Sequence, residues 1–134
     1  MAIITDASSL LGLVLEDEDA RYAQSVIETV AEQGAVVPCL FWFEVRNALV
    51  VSERRGRIAP QATETFLNGL HDLPFEYEGL PSDPHVIELA RRYELSVYDA
   101  TYLELAGRRK LALATRDRRL AAAAERAGVA LHGE

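Results

Sequence analysis

Short apolar runs alternate with longer amphipathic segments along the whole chain, and this alternation constrains the fold more than any other feature. Each run is short enough for a buried strand, and each longer segment has helical apolar spacing or a helix-ending residue. The predicted strands are 2–5, 35–37, 74–79, 111–115 and 129–131. The predicted helices are 16–33, with an acidic start at "EDED", then 38–55, 60–71, 82–95, a helix from near Asp99 to 110, and 116–128. This order predicts an α/β fold in which helices flank a central, mostly parallel β-sheet.

Length and composition favour one domain with a core of its own. The chain has 134 residues, of which 49% are apolar, so we expect a single domain spanning 1–134. The one cysteine, Cys39, excludes an internal disulfide and a cysteine-rich zinc site. The N-terminus has no basic segment, and Asp6 interrupts its apolar stretch, so it predicts neither a signal peptide nor a membrane span. We therefore expect a protein of the cytoplasm.

Three aspartates occupy similar places relative to the predicted strands. Asp6 follows the first strand, Asp117 comes two residues after the strand at 111–115, and Asp99 starts the helix "ATYLELA". Helix N-capping explains any one of them, because aspartate is a preferred residue at that position. The carboxyl ends of parallel strands, however, share one edge of the sheet, where ligands usually bind. The three aspartates together therefore predict one acidic site.

Glu44 lies on the apolar face of a helix that is predicted to begin with Pro38. At about 100° per residue, Leu40 falls within about 60° of Glu44, and Asn47 lies beside it. A buried, unpaired carboxylate is costly. An ion pair with Arg55, a raised pKa or simple exposure would explain Glu44, and so would a cleft shared with the aspartates. This segment alone leaves both explanations open.

Four carboxylates in one cleft repel one another unless a cation lies between them. Ligands that are all oxygen, with no cysteine or histidine nearby, favour Mg²⁺ or Mn²⁺. Such an ion, kept partly hydrated, can hold a phosphate oxygen and activate a water molecule. The sequence has no HExxH motif, no phosphate-binding glycine loop and no serine–histidine–aspartate pattern, so other hydrolytic chemistries have no support from a motif.

The charge is unevenly distributed along the chain. It is −7 for the whole chain and −6 for residues 1–50, which hold eight acidic residues and two arginines. The remainder carries basic clusters, and each cluster suits either a solvated helix end or a set of phosphate contacts. The clusters that flank the Asp99 and Asp117 segments, and so are the best candidates for contact with a nucleic-acid backbone, are Arg108, Arg109, Lys110, Arg116, Arg118 and Arg119.

Four segments resemble, in order, the acidic motifs of the PIN-domain ribonucleases, and especially the VapC toxins of toxin–antitoxin pairs. They are "IITDASSLL", "PCLFWFEVRNAL", "LSVYDATYLELA" and "LATRDRRLAAAAERAGV". The resemblance extends from residue 3 to about residue 131, nearly the whole chain. "YDATYLELA" is the most specific segment, and the ordered set is stronger than any one of its members.

The resemblance implies a PIN fold with an acidic pocket at one edge of the sheet. The positions that match the acidic quartet are Asp6, Glu44, Asp99 and Asp117. It implies that Asp6, Asp99 and Asp117 bind the Mg²⁺ or Mn²⁺ ion. It also implies that Glu44 either binds the ion through a water molecule or helps to orient and deprotonate the nucleophile. The polar residues expected to support this pocket are Ser8, Asn47 and Thr115.

The resemblance also implies an activity and partners. The activity is metal-dependent endonucleolytic hydrolysis of RNA. The partners are a second copy of the chain and a VapB-like antitoxin, which places a basic residue in the acidic pocket. Two alternatives within the family stay open, a nuclease of RNA processing and a PIN-like domain that only binds RNA or protein. A receiver domain of a response regulator is a weaker alternative, because Asp6 has no acidic neighbour and Lys110 precedes its strand.

Overall fold

Parallel strands joined by helices make up residues 1–15 and 20–133, the part of the chain that the computed structural model describes. The strands are β1 (Ile3–Thr5), β2 (Ala35–Pro38), β3 (Phe75–Glu78) and β4 (Leu113–Ala114). The helices are α1 (Gly12–Leu15), α2 (Ala20–Gln33), α3 (Leu40–Arg54), α4 (Pro60–His71), α5 (Asp83–Tyr93), α6 (Val97–Arg109) and α7 (Arg118–Arg126). The predicted acidic helix start at 16–19 lies outside the described residues.

The four strands form one sheet in the order β3-β2-β1-β4. Ile4 of β1 pairs with Val36 on one side and with Leu113 on the other. Every pairing between these strands is parallel, which confirms the predicted α/β class and its parallel sheet. The predicted strand at 129–131 is reduced to one parallel bridge between Leu131 and Leu113, because β4 has only two residues to offer a partner.

Helices cover both faces of the sheet. Phe75 of β3 stacks on Phe41 of α3, with the ring centroids 5.3 Å apart. The next residue, Glu76, points to the opposite face, where it forms an ion pair with Arg109 of α6 at 3.2 Å. β1 lies between these two layers and is buried along its whole length. No helix in the described part of the chain is both long and apolar enough to cross a membrane.

Two helices begin away from the residues at which the sequence places their start. Pro38 is the last residue of β2, paired with Glu78, and α3 begins two residues later at Leu40. Because proline has no N–H, it ends the ladder of strand hydrogen bonds instead of opening the helix. α6 begins at Val97, earlier than predicted, so that Asp99 lies within its first turn.

Candidate active site

Asp6 follows β1 directly and is buried, with 6% of its surface exposed. Its Oδ1 accepts hydrogen bonds from the Ser8 hydroxyl at 2.7 Å and from the Ser9 N–H at 3.1 Å. Its Oδ2 accepts a third from the hydroxyl of Thr115, the residue after β4. Burial raises the pKa of Asp6, and these hydrogen bonds act in the opposite direction. The carboxylate is therefore held in one orientation where two neighbouring strands end.

Asp117 and Asp99 stand at the starts of two helices, but only one of them is a cap. Asp117 is the N-cap of α7, and its Oδ1 accepts a hydrogen bond from the Leu120 N–H at 3.0 Å. The cap of α6 is Ser96, whose hydroxyl accepts from the Asp99 N–H at 3.0 Å. N-capping therefore explains Asp117 and does not explain Asp99. Burial and the charge of Asp117 raise the pKa of Asp99, while the positive charge of Arg119 lowers it.

Glu44 is half-buried on α3 and is held by a tyrosine from α6. The Tyr102 hydroxyl donates a hydrogen bond to Glu44 Oε1 at 2.6 Å, and 1% of the Tyr102 surface is exposed. Arg55, the partner considered for an ion pair, is exposed at the far end of α3. Among the described residues, no arginine or lysine lies within 4.0 Å of the Glu44 carboxylate. The structure thus gives no support to an ion pair with Arg55, and it places Glu44 near Asp6 and Asp99, whose charges act on it.

The four carboxylates act electrostatically on one another. Burial raises the pKa of Glu44, and the charges of Asp6 and Asp99 raise it further. Asp99 likewise raises the pKa of Asp6, and Asp117 raises that of Asp99. In the described residues no three acidic, histidine or cysteine side chains already lie as closely as a bound ion requires. The arrangement is a cluster of mutually repelling oxygen donors, which a cation would stabilise.

Tyr102 is the residue that sequence reasoning missed at this site. Its aromatic ring is buried, as for a residue of the core. Burial raises the pKa of its hydroxyl, as do the charges of Glu44, Asp6 and Asp99, so the phenol stays protonated and remains a donor. Its position three residues after Asp99 places both side chains on the same side of α6, and that spacing was the available signal.

The three predicted supporting residues differ in where they lie. Ser8 bonds Asp6 and also accepts a hydrogen bond from the Arg116 N–H at 3.0 Å. Thr115 donates to Asp6 and accepts from the Asp117 N–H at 3.0 Å, so one hydroxyl connects two of the carboxylate segments. Asn47 is exposed on α3, and no hydrogen bond joins it to any of the four carboxylates as the structure describes them.

The predicted basic residues divide into two groups. Arg108 bonds Glu104 at 2.8 Å, and Arg109 pairs with Glu76 and Glu78, so acidic neighbours compensate both charges. Arg108 also lies nine residues beyond Asp99, about 14 Å along the axis of α6. Lys110, the C-cap of α6, is exposed. The other group, at the start of α7 next to Asp117, consists of Arg116, Arg118 and Arg119.

A sequence profile of the PIN domain matches residues 3–126, which include all four carboxylates. The chain belongs to the PIN-domain family. This membership confirms the resemblance and the fold that it implied, and it shows that the receiver-domain alternative is wrong.

Similar proteins agree with this assignment. Ribonuclease VapC3 of Mycobacterium tuberculosis is 31% identical to this PIN-domain chain over 121 residues, which cover 90% of this chain and 86% of the relative. The crystal structure of PAE2754 from Pyrobaculum aerophilum superposes with a TM-score of 0.73 at 28% identity, covering 92% of this chain and 79% of that one. A toxin–antitoxin complex from Klebsiella pneumoniae contains a chain with a TM-score of 0.56 at 21% identity, which covers 87% of each chain and shows likeness of fold alone.

Proposed function

We propose that this chain is a VapC-type endoribonuclease that hydrolyses RNA phosphodiester bonds at its acidic cluster. The observation that carries the proposal is the convergence of Asp6, Glu44, Asp99 and Asp117, from four separate segments, into one electrostatically coupled group. The relative from M. tuberculosis, named a ribonuclease, supports the reaction class. The proposed mechanism has two parts, which concern the residues that would bind a metal ion and the role of Glu44.

Asp6, Asp99 and Asp117 would hold Mg²⁺ or Mn²⁺. Their donors are all oxygen, and the raised pKa values of Asp6 and Asp99 are the effect of burial and of like charges that a cation would relieve. When bound, such an ion neutralises charge on a phosphate and lowers the pKa of a water molecule. The chain's own part is to fix the ligands, and Ser8 and Thr115 do so for Asp6.

Glu44 would be the proton acceptor for the attacking water. Tyr102 occupies Oε1 with its hydroxyl hydrogen, which orients the carboxylate and leaves Oε2 to accept a proton. Burial and neighbouring carboxylates raise the pKa of Glu44, which makes it a stronger base than an exposed glutamate. Glu44 thus acts on the water and Tyr102 acts through Glu44.

The proposed biological role is that of the toxin in a toxin–antitoxin pair, with a VapB-like antitoxin as the cognate partner. A cationic antitoxin side chain suits the acidic cluster, because it would relieve the same repulsion as a metal ion. We also propose a homodimer, and we keep the cytoplasm as the expected location. Exposed apolar side chains available for contact with the antitoxin or with a second copy include Trp42, Phe43, Leu80 and Tyr98.

The proposal is tested by incubating the antitoxin-free protein with structured RNAs and with bulk tRNA. We expect cleavage with Mg²⁺ or Mn²⁺ and none with EDTA, and mapping the cut ends would identify the substrate. Growth arrest on expression of the gene alone would separate a toxin from an RNA-processing nuclease. Intact RNA under every metal condition would contradict the proposed activity.

Metal should also stabilise the fold. Because the acidic cluster is repulsive without a cation, millimolar Mn²⁺ is expected to raise the melting temperature by several degrees, as for any ligand that binds only the native state. Differential scanning fluorimetry in Mn²⁺ and in EDTA measures the shift. The Asp117→Asn variant, which keeps an N-capping side chain, should show a smaller shift. Equal shifts in the two proteins would place the bound ion elsewhere.

Tyr102→Phe should lower kcat by about tenfold with little change in KM. The variant removes only the hydroxyl that orients Glu44, so the substrate still binds while the proton acceptor is less well positioned. The cost to the free energy of unfolding should be about 1 kcal/mol, since one buried hydrogen bond is lost. Tyr98→Phe is the matched control, because that tyrosine lies in the same turn as Asp99 and is 62% exposed. Identical kcat values for both variants would remove Tyr102 from the mechanism.

A further inference from the structure

A shallow groove between α5 and α7 is basic and lies beside the carboxylates. It has a volume of about 220 Å³. Tyr93 and Glu94 line one side, at the end of α5, and Arg119 and Arg126 line the other side on α7, with alanines between them. None of the four carboxylates lines the groove. Arg119 connects the two regions, because it lines the groove and its charge acts on Asp99.

The two arginines of α7 follow one line that leads away from the acidic cluster. They are seven residues apart, which places them on the same face of the helix with about 10 Å between their positions along its axis. Arg119 is two residues after the N-cap Asp117, so the line begins next to the carboxylates and ends at Arg126 in the last turn. The two alanines between them, Ala122 and Ala123, are short and keep the groove open.

Tyr93 contacts two guanidinium groups, that of Arg126 in the groove and that of Arg92 beside it. The guanidinium carbon of Arg126 lies 5.3 Å from the centroid of the Tyr93 ring, and that of Arg92 lies 5.7 Å from it. Contact with an aromatic face holds an arginine in place and leaves its N–H groups available to an anion. Two cations from different helices, α5 and α7, therefore contact the same ring.

The charges in and beside this groove are not compensated as those of α6 are. Arg92, Arg119 and Arg126 are exposed, and no carboxylate among the described residues lies within 4.0 Å of them. Arg108 and Arg109, by contrast, pair with glutamates of β3 and α6. Glu94, next to Tyr93 at the groove's edge, is the acidic residue that opposes an anion there.

We propose that Arg92, Arg119 and Arg126, arranged around Tyr93, form the track that binds the RNA backbone on one side of the scissile phosphate. The inference rests on the proposed nuclease function and adds where the substrate runs. A single strand is the form that suits a groove of about 220 Å³. The guanidinium groups would bind its phosphate oxygens in any sequence. The strand leaves the carboxylates at Arg119 and follows α7 towards Arg126, which makes α6 and its paired arginines the less favourable path.

The test measures binding of a fluorescent twelve-nucleotide single-stranded RNA by anisotropy, in Mg²⁺ and in an Asp99→Asn background that does not cut it. Arg126→Gln and Arg92→Gln should each raise Kd by about three- to tenfold at 0.1 M salt. Each should also reduce the slope of log K against log salt by about 0.7, the value for one lost phosphate contact on a single strand. Glu94→Gln should lower Kd, since it removes the opposing charge. The matched control is Arg54→Gln, an exposed arginine at the end of α3.

Kinetics in the otherwise wild-type protein separate this inference from the function itself. Arg126→Gln should raise KM and leave kcat unchanged, because it is remote from the reacting atoms. If the wild-type protein cuts RNA while Arg126→Gln and Arg92→Gln match Arg54→Gln in Kd, salt slope and KM, the track is wrong and the nuclease stands. If the wild-type protein neither cuts nor binds RNA, the proposed function fails and the track fails with it.

Discussion

Asp99→Asn is expected to slow RNA cleavage by roughly a thousandfold or more, equivalent to about 4 kcal/mol of transition-state stabilisation. The substitution keeps the size and shape of the side chain and removes the charge that faces Asp6, Glu44 and Asp117. The cap of α6 should persist, because Ser96 accepts its hydrogen bond from the backbone N–H of residue 99. Single-turnover cleavage at saturating Mg²⁺ measures the rate.

Asp83→Asn is the control for Asp99→Asn, since Asp83 also occupies the first turn of a helix but is exposed on α5. Its cleavage rate should match that of the wild-type protein. The melting temperature of Asp99→Asn in EDTA should be equal to that of the wild-type protein or higher, because burial and Asp117 already raise the pKa of Asp99. Cleavage by Asp99→Asn at the wild-type rate would refute the catalytic role of the cluster.

The sequence predicts the sheet and its acidic edge because both follow from local patterns. A short apolar run must be buried on both faces, which requires a parallel sheet covered by helices. Once the strands are parallel, the residues after β1 and β4 share an edge, and this places Asp6 beside Thr115. The helical period alone directs Glu44 towards the interior. These inferences need no knowledge of distant contacts.

The remaining features depend on contacts between residues far apart in the chain, which periodicity does not reveal. Tyr102 bonds a carboxylate 58 residues away. Its spacing from Asp99 indicates which side of α6 it lies on, but the sequence does not show that Glu44 is its partner. Arg109 has its partners on β3, more than thirty residues earlier. Its basic character is visible in the sequence, but its compensation by Glu76 and Glu78 is not. Site residues are therefore easier to predict than the neighbours that modify them.

Glu44→Gln should slow cleavage strongly and, in metal-free buffer, should stabilise the fold. Glutamine keeps a carbonyl oxygen that accepts the Tyr102 hydrogen bond, but it is not a base and carries no charge towards Asp6 and Asp99. We expect a loss in kcat of roughly a hundredfold or more, typical for removal of a general base. The gain in melting temperature in EDTA at neutral pH should be about 2–4 °C. Cleavage assays and thermal melts on the same preparation measure both.

The stabilisation by Glu44→Gln should depend on pH in one direction only. Burial and the nearby aspartates raise the pKa of Glu44 above its ordinary value of 4.5. At a pH between 4.5 and the raised pKa, the native state therefore binds more protons than the unfolded state. The free energy of unfolding of the wild-type protein therefore falls as the pH rises through this range, whereas that of the variant does not. The difference in melting temperature should be small below pH 4.5 and should grow as the pH rises through the raised pKa of Glu44. Glu64→Gln, at an exposed position on α4, is the control for the substitution itself. A difference for Glu44→Gln that is constant with pH would mean that its neighbours do not destabilise the Glu44 charge.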